Sequence, residues 1–215
     1  MESTFCAEPC DDFRLIETFR WSPQQGAVRL DLHLARLAQS ADDLGFPFRM
    51  QRAVQAVSAL REPTPLRCRF ELFQNGGLVL TTVELTPEKP EWTLSVSPDR
   101  LTATDKWLRY KTTHRALYDH TRATLPQGVD EVVFLNTVGE VCEGTITNLF
   151  ATVENGVVLT PALECGVLPG VLRQELIAQG YVKEARLSLT DLQDAQALQM
   201  GNSLRGLIPA KLINS

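Results

Sequence analysis

The sequence predicts an α+β fold with two lobes. Strand-like runs, in which apolar and polar residues alternate, come mostly in neighbouring pairs joined by short turns. Helix-like runs, with apolar residues three or four positions apart, separate these pairs. The stretch SPDRLTATD, residues 97–105, has the composition of a linker. We therefore expect residues 1–100 to form a smaller N-terminal α+β lobe and residues 101–215 to form a C-terminal lobe.

The elements of the first lobe follow from turn and cap signals. RLIETFRW and AVRL predict two strands around the turn SPQQG. Asp31 is the expected N-cap of a helix that ends at Gly45, and a second helix is predicted from Pro47 to about Leu60. RCRFELF and LVLTTVEL predict a hairpin around QNGG, and EWTLSVSP predicts one more strand.

The second lobe is predicted in the same way. Residues 112–123 indicate a helix, DEVVFLN a strand, and TNLFATVENGVVLTP a hairpin around ENG. A helix, VLRQELIAQG, follows CGVLPG, and then come a strand, YVKEARLS, and a short helix, TDLQDA. ALQM predicts the start of a last strand, with GNSLRGLIPA as a loop after it.

Composition excludes several classes of protein. The chain has 215 residues, a net charge of −5 with scattered basic residues, and no run of eighteen apolar residues. These features argue against nucleic-acid binding and against a membrane-spanning helix. The N-terminus has neither the basic nor the apolar region of a secretory signal, so we expect a cytoplasmic protein. The five cysteines are Cys6, Cys10, Cys68, Cys142 and Cys165. Their odd number, without a C-x-x-C pair or nearby histidines, predicts reduced thiols and no zinc.

A candidate nucleophile lies in LRYKTTHRALYDHTRA. Lys111 stands where a strand-like run gives way to a helix-like run, with Arg109 and Arg115 close in sequence. Nearby cations and burial lower the pKa of a lysine, and the uncharged amine can form a Schiff base. A solvated surface lysine is the alternative that this stretch leaves open.

EVCEGTITNLF offers a candidate carboxylate. Glu143 is followed by a glycine, two threonines and Asn148 before an apolar strand. Such a carboxylate could hold a protonated ring nitrogen, while the small neighbours leave room for a flat cofactor. An exposed acid in a loop, followed by a turn-forming asparagine, is the alternative.

Two segments are candidates for binding an anion. In CGVLPGVLRQEL, Gly170 begins a helix, whose first amides, those of Val171 and Leu172, could bind phosphate. In HLARL, Arg36 lies between core positions of a helix and could reach inward to a phosphate. An ordinary helix start and a surface arginine are the alternatives, and His33 is interpreted as structural.

A third anion candidate is GNSLRGLIPA. Asn202, Ser203 and Arg205 lie in a loop bounded by glycines after a predicted strand. Small polar side chains with free backbone amides suit an anion, although a plain connecting loop would have the same composition.

The order of these motifs, from about Arg14 to Leu212, resembles that of the fold-type IV pyridoxal-phosphate enzymes, the class IV aminotransferase family. The motifs that carry the resemblance are HLARL, the segment around Lys111, EGTITNLF, LPGVLRQEL and GNSLRGLIPA. The resemblance implies the two-lobed architecture of that family, pyridoxal 5′-phosphate as cofactor and a homodimer.

The resemblance also assigns roles. Lys111 would form the Schiff base with the cofactor and then act as general acid and base. Glu143 would hold the pyridine nitrogen, with Asn148 beside it. The phosphate would be bound by Arg36, the amides of Val171 and Leu172, and the loop of Asn202 and Ser203.

This chain departs from the family pattern in places. The threonine that is frequent in the phosphate turn is Leu172, and the tyrosine often found five positions after the lysine is Ala116. The segment that usually precedes the first strand has no counterpart here, so we expect part of the substrate-side wall to be rebuilt.

Two details resemble the aminodeoxychorismate lyase branch: Arg115, four positions after the lysine, and the asparagine in GNSLRG. That lyase converts 4-amino-4-deoxychorismate to 4-aminobenzoate and pyruvate, in folate biosynthesis. The substrate is a dicarboxylate, and the candidate arginines for it are Arg115, Arg205 and Arg20. An amino-acid aminotransferase, of branched-chain or D-amino-acid type, is the alternative, and a non-catalytic binding protein with this fold is a third possibility.

Overall fold

The computed structural model describes residues 12–87 and 89–213. Strands and α-helices alternate through this part of the chain, with three short 3-10 turns between them. The strands and helices are, in chain order, β1 (Leu15–Ser22), β2 (Gly26–Ala27), α1 (Leu30–Leu44), α2 (Met50–Ser58), β3 (Leu66–Leu72), β4 (Leu78–Glu84), β5 (Trp92–Leu101), α3 (Ala116–Ala123), β6 (Glu131–Asn136), β7 (Asn148–Thr152), β8 (Val158–Pro161), α4 (Val171–Ala178), β9 (Val182–Ala185), α5 (Leu189–Gln193), β10 (Ala197–Asn202) and β11 (Gly206–Leu212).

The first sheet is antiparallel, with the strand order β2-β1-β3-β4. One of its faces is apolar and buried, because Phe19 of β1 and Phe70 of β3 pack with Leu34 of α1 and Ala53 of α2. The opposite face carries the alternate residues of each strand, which are polar or partly exposed on β3. This second face is therefore available to form a site.

The second sheet is mixed, with the strand order β6-β5-β11-β10-β7-β8-β9. Strand β5 runs parallel to β6 and β11, and β8 runs parallel to β9. All six residues of β6 are buried, as expected for a strand covered on both faces. The core of this sheet includes Leu94, Val133, Leu149 and Met200.

Most predicted strands and hairpins are confirmed, but the start of α1 differs from the prediction. AVRL is not a full strand, since β2 ends at Ala27 and α1 begins at Leu30. Arg29 turns the chain in a left-handed conformation with φ 56°, so Asp31 lies in the first turn and is not the cap. The predicted stop at Gly45 is confirmed, with φ 74°.

The predicted linker is partly wrong. Residues 97–101 belong to β5, because Arg100 and Leu101 pair with Leu135 and Asn136 of β6. The chain passes from the first sheet to the second between Glu84 and Trp92. The division into lobes at residue 100 stays a prediction.

Two other predictions are corrected. The helix predicted over residues 112–123 begins only at Ala116, because the preceding segment is bonded to β1. GNSLRGLIPA is not a loop but contains β11, so Ser203 and Arg205 lie in the tight turn between two antiparallel strands.

The described cysteines, Cys68, Cys142 and Cys165, are free and buried. Cys6 and Cys10 lie outside the described residues. Within residues 12–87 and 89–213, no helix is both long and apolar enough to cross a membrane. No cluster of three or more metal-binding side chains occurs in the same residues.

Candidate active site

A cavity of about 590 Å³ lies between the two sheets. Its walls include the polar face of β1 and β3, residues 107–115, the segment of residues 143–148 and the turn between β10 and β11. The start of α4 and the inner side of α1 close one end of the cavity. We call this end, formed by Arg36, Gly170, Val171 and Ser203, the α4 end. The motifs singled out in the sequence therefore meet in one cavity.

Lys111 is fixed to the first sheet through its backbone. Its carbonyl oxygen accepts a 2.9 Å hydrogen bond from the amide of Ile16, and Thr112 forms a β-bridge with Leu15. The side chain is partly buried and lines the cavity. Burial, together with the charges of Arg36 and Arg115, lowers the pKa of Lys111 to about 8. Of the two cations named from the sequence, Arg115 is among the charges that lower this pKa, whereas Nη1 of Arg109 donates to the carbonyl oxygen of Val167.

Glu143 is buried, with 6% of its surface exposed, in the wall of the cavity. Its Oε1 accepts a 2.9 Å hydrogen bond from the hydroxyl of Tyr118, and its Oε2 accepts a 3.0 Å bond from the amide of Leu168. Burial raises the pKa of Glu143 to about 7, although these two donors and Lys111 oppose the shift. Glu143 is thus a positioned carboxyl, and not the exposed loop acid of the alternative interpretation.

Asn148 joins Glu143 to the start of α4. Its Nδ2 donates to Oε2 of Glu143 at 3.2 Å and to the carbonyl of Leu168 at 3.1 Å. Gly170 lies directly beside it, since a Cβ at this position would be 1.9 Å from Oδ1 of Asn148. The close approach explains why glycine is required at the N-cap of α4.

A buried network crosses the α4 end of the cavity. Nε and Nη2 of Arg36 donate to the two carboxylate oxygens of Glu17, at 2.7 and 2.6 Å, and Nη1 donates to the carbonyl of Pro169 at 3.0 Å. These bonds use three of the five N–H groups of the guanidinium. His33 lies 2.6 Å from Glu17 through Nδ1 and 2.8 Å from Oγ of Ser203 through Nε2. The network holds Arg36 against the start of α4.

The predicted anion-binding amides differ in position. Val171 lines the cavity. The first amides of α4 have no partner within the helix, and no side chain caps them. Leu172 is buried and its side chain does not line the cavity. Asn202 uses its Oδ1 to accept from the amides of Leu204 and Arg205, and therefore shapes the turn that presents Ser203.

The predicted substrate arginines divide into two groups. Arg115 and Arg205 line the cavity, and Arg115 donates to the carbonyl of Thr145 at 2.9 Å. Arg20 is exposed on β1 and does not line the cavity, so the structure does not bring it to the site. Arg67 and Arg69 of β3, which the sequence interpretation missed, do line it. In RCRF the two arginines alternate with buried residues, and this alternation could have indicated that they share one face of the strand.

Two buried carboxylates were also missed. Glu17 faces the helices from β1, and Glu131 of β6 accepts hydrogen bonds from residues 145–147. Glu17 shares its face of β1 with Leu15, Phe19 and Trp21, and Glu131 begins a fully buried strand, so each acid indicates a structural or functional network. The hydroxyl of Tyr118 on α3 donates to Glu143, a contact that the sequence did not indicate.

These residues fit the pyridoxal 5′-phosphate that the resemblance implies. A phosphate needs N–H and O–H donors, and the α4 end offers an uncapped helix start, two unused N–H groups of Arg36 and the hydroxyl of Ser203. A carboxyl for a ring nitrogen, Glu143, and a lysine with a lowered pKa, Lys111, line the same cavity.

Comparison with known proteins agrees with this geometry. The family described as "Amino-transferase class IV" matches residues 14–213. A Schizosaccharomyces pombe protein named "Putative aminodeoxychorismate lyase" is 29% identical over 196 residues, which cover 86% of this chain and 84% of that protein.

Solved structures give the same result for the fold. A protein from Mesorhizobium loti, titled "Putative amino-acid aminotransferase", is 46% identical with a TM-score of 0.88, over 94% of this chain and 100% of that chain. The branched-chain amino acid aminotransferase of Escherichia coli, at 21% identity, shares the fold with a TM-score of 0.80 over 94% of this chain and 77% of that chain. The predicted fold-type IV architecture is therefore confirmed. The protein is an enzyme of the class IV aminotransferase family, with pyridoxal 5′-phosphate as its cofactor, and not the non-catalytic binding protein that the sequence left open.

Proposed function

We propose that the enzyme uses Lys111 as its catalytic residue and acts on a small amino substrate that carries more than one carboxylate. The observation that carries this proposal is the cavity in which Lys111 and Glu143 meet a set of arginines. The first candidate reaction is the conversion of 4-amino-4-deoxychorismate to 4-aminobenzoate and pyruvate.

Lys111 supplies the reactive amine. Pyridoxal 5′-phosphate supplies an aldehyde that condenses with amines and a conjugated ring that withdraws electrons from the reacting bond of the substrate. With a pKa of about 8, about a tenth of Lys111 is uncharged at pH 7, and this uncharged amine is nucleophilic. The same amine would accept and return a proton at the substrate carbons.

Glu143 supplies the negative charge for a protonated ring nitrogen. Tyr118 and the amide of Leu168 orient its carboxyl, and Asn148 keeps Oε2 directed toward the start of α4. A cation beside this buried carboxyl lowers its pKa, so Glu143 ionises when the nitrogen is protonated.

The α4 end holds the phosphate. Arg36 offers the N–H groups that Glu17 and Pro169 leave unused, and the uncapped amides of α4 add partial positive charge. Ser203 adds a hydroxyl from the turn between β10 and β11. Together these groups would hold the phosphate in the cavity that Lys111 and Glu143 also line.

Four arginines that line the cavity bind the acid groups of the substrate. Arg67 and Arg69 project from β3, Arg115 precedes α3, and Arg205 lies in the β10–β11 turn. Such a concentration of guanidinium groups suits a dicarboxylate better than an amino acid with an apolar side chain. This argument favours the lyase reaction over a branched-chain aminotransferase.

Amino-acid transamination is the second candidate. The observation that favours it is the 46% identity to the Mesorhizobium loti protein, whose title says amino-acid aminotransferase and whose whole length is covered. Arginines in a cavity would equally bind glutamate or 2-oxoglutarate.

A paired assay distinguishes the two reactions. The protein is supplied with chorismate, glutamine and the upstream synthase, and 4-aminobenzoate is measured by chromatography. In parallel, amino acids are supplied with 2-oxoglutarate, and glutamate is measured. If glutamate forms while no 4-aminobenzoate appears, the lyase proposal is wrong. The Lys111→Ala variant is the blank in both assays.

We also propose a cytoplasmic homodimer, as the family resemblance implies. Sedimentation or light scattering of the purified chain measures its mass against the 23.9 kDa of one chain. A monomer at working concentration would contradict the proposed homodimer but would not bear on the proposed reaction.

A further inference from the structure

His33 connects two elements that contribute to the α4 end of the cavity. Its ring is almost fully buried, with 1% of the residue exposed. Nδ1 lies 2.6 Å from Oε2 of Glu17 on β1, and Nε2 lies 2.8 Å from Oγ of Ser203 in the β10–β11 turn. The imidazole therefore bridges a buried carboxylate and a hydroxyl that lines the cavity.

The carboxylate determines the tautomer of this ring. Burial alone would raise the pKa of Glu17, but Arg36 and His33 reverse the shift and lower it to about 2. Glu17 is thus ionised at all working pH values and only accepts hydrogen bonds. Nδ1 of His33 must carry a proton, so Nε2 of the neutral ring is an acceptor.

The state of Nε2 determines the direction of the Ser203 hydroxyl. When the ring is neutral, Ser203 donates its proton to Nε2 and presents only lone pairs to the cavity, which repel an anion. When the ring is protonated, Nε2–H donates to Oγ, and the Ser203 proton is free to point into the cavity. Ser203 keeps its own proton in both states, because only the O–H bond rotates.

Before an anion binds, the surrounding charges influence whether the ring of His33 is protonated. Burial lowers the pKa of His33, Glu17 raises it, and the nearby charges of Arg36 and Lys111 lower it again. The remaining ring contact is with Phe19, which carries no charge. An anion at the α4 end would offset the two cations and favour a protonated ring.

We propose that His33 is a positioning residue that takes up one proton from solvent when an anion binds at the α4 end, and thereby turns the Ser203 hydroxyl toward that anion. The inference rests on the proposed function only for the identity of the anion, the cofactor phosphate. Inorganic sulfate replaces it in the test, because sulfate stays doubly charged across the working pH range and brings no aldehyde to Lys111.

The test uses the full chain without cofactor and nitrogen NMR of its histidine rings. The chain has three histidines, and the signals of His33 are assigned by their loss in His33→Gln. Without sulfate, a neutral His33 with its proton on Nδ1 is expected. Saturating sulfate is expected to raise the titration midpoint of His33 by about one pH unit or more.

Ser203→Ala separates the hydroxyl mechanism from simple attraction between charges. Without the hydroxyl, the midpoint should move by less than half of the wild-type displacement at saturating sulfate. An equal displacement in Ser203→Ala overturns the proposal, as does a proton on Nε2 in the sulfate-free neutral ring. Absence of any effect of sulfate on the His33 signals overturns it as well.

The affinity for sulfate provides a second measurement. Between pH 5 and 6, Lys111 stays charged and Glu143, with a pKa of about 7, stays mostly protonated, so a fall in wild-type affinity follows the loss of the His33 proton. In His33→Gln no group at this position titrates, so the affinity for sulfate should lose this pH dependence. His120→Gln, which changes an exposed histidine of α3, is the matched control and should behave like the wild type. Failure of the proposed function would appear instead as the absence of cofactor bound at Lys111.

Discussion

Asn148 and Gly170 are packed so closely that a Cβ at residue 170 would lie 1.9 Å from the side-chain oxygen of Asn148. No side chain fits in this space, and Asn148 cannot move freely, because its amide donates to Glu143 and to the carbonyl of Leu168. The contact therefore couples the start of α4 to the carboxyl of Glu143.

Gly170→Ala is expected to displace Asn148 and to destabilise the protein by about 1–3 kcal/mol, as overpacking of a core does. Urea unfolding measures the change, and absorbance after dialysis should show weaker retention of the cofactor. The double variant Gly170→Ala with Asn148→Ala removes the colliding oxygen. If the double variant is less stable than the two single changes added together, the proposed clash is not the cause.

Lys111→Ala is expected to remove covalent attachment of the cofactor and to lower turnover by at least about 10²–10⁴-fold, the usual contribution of a general acid or base. Borohydride reduction followed by mass spectrometry of peptides measures the attachment. Lys106→Ala changes an exposed lysine of the neighbouring 3-10 turn and should retain the same amount of attached cofactor as the wild type. Full activity of the Lys111→Ala protein would remove the basis of the proposed mechanism.

Glu17→Gln is expected to destabilise the protein by about 3–5 kcal/mol, since it leaves Arg36 buried without its counter-charge. The pKa of Glu17 is lowered to about 2, so its stabilising contribution is present above the unfolded value near 4.5 and is lost as the pH falls toward 2. Unfolding measured from pH 7 to pH 3 should accordingly show a flatter acid limb in the variant.

Glu71→Gln is the control for that experiment. Glu71 also binds two arginines, Arg14 and Arg69, but at a partly exposed position on β3. A pair of this kind contributes at most about 1 kcal/mol. If Glu17→Gln and Glu71→Gln lower the free energy of unfolding equally, burial is not the reason that the Glu17 network stabilises the protein.

Arg67→Ala is expected to raise the KM for a dicarboxylate substrate by roughly 10–100-fold with little change in kcat, since a charged hydrogen bond contributes about 1.5–3 kcal/mol. Arg67 lines the cavity, is exposed, and has no ion-pair partner among the described residues. Arg20 lies directly opposite on β1 but outside the cavity, so Arg20→Ala should leave the KM unchanged. A larger effect from Arg20 would restore the interpretation made from the sequence.

Local patterns in the sequence were sufficient for most of the fold. Alternation of apolar residues and turn motifs such as QNGG and ENG predicted hairpins that the structure contains, because those signals act over a few residues. The local patterns gave wrong predictions where hydrogen bonds to distant strands determine the structure. Strand β5 extends into the expected linker because β6 pairs with Arg100 and Leu101. The helix after Lys111 starts late because β1 is bonded to the preceding segment.

The chemical types in the site could likewise be read from the chain: a lysine, a carboxylate, a glycine at a helix start and an arginine between core positions. Their order carried the family resemblance. The sequence could not show that Glu17, 94 positions before Lys111, lies in the same network as Arg36 and His33, or that Arg67 faces the cavity and Arg20 does not. Burial, pairing and pKa depend on contacts between residues far apart in the chain, and those contacts exist only once the two sheets enclose the cavity.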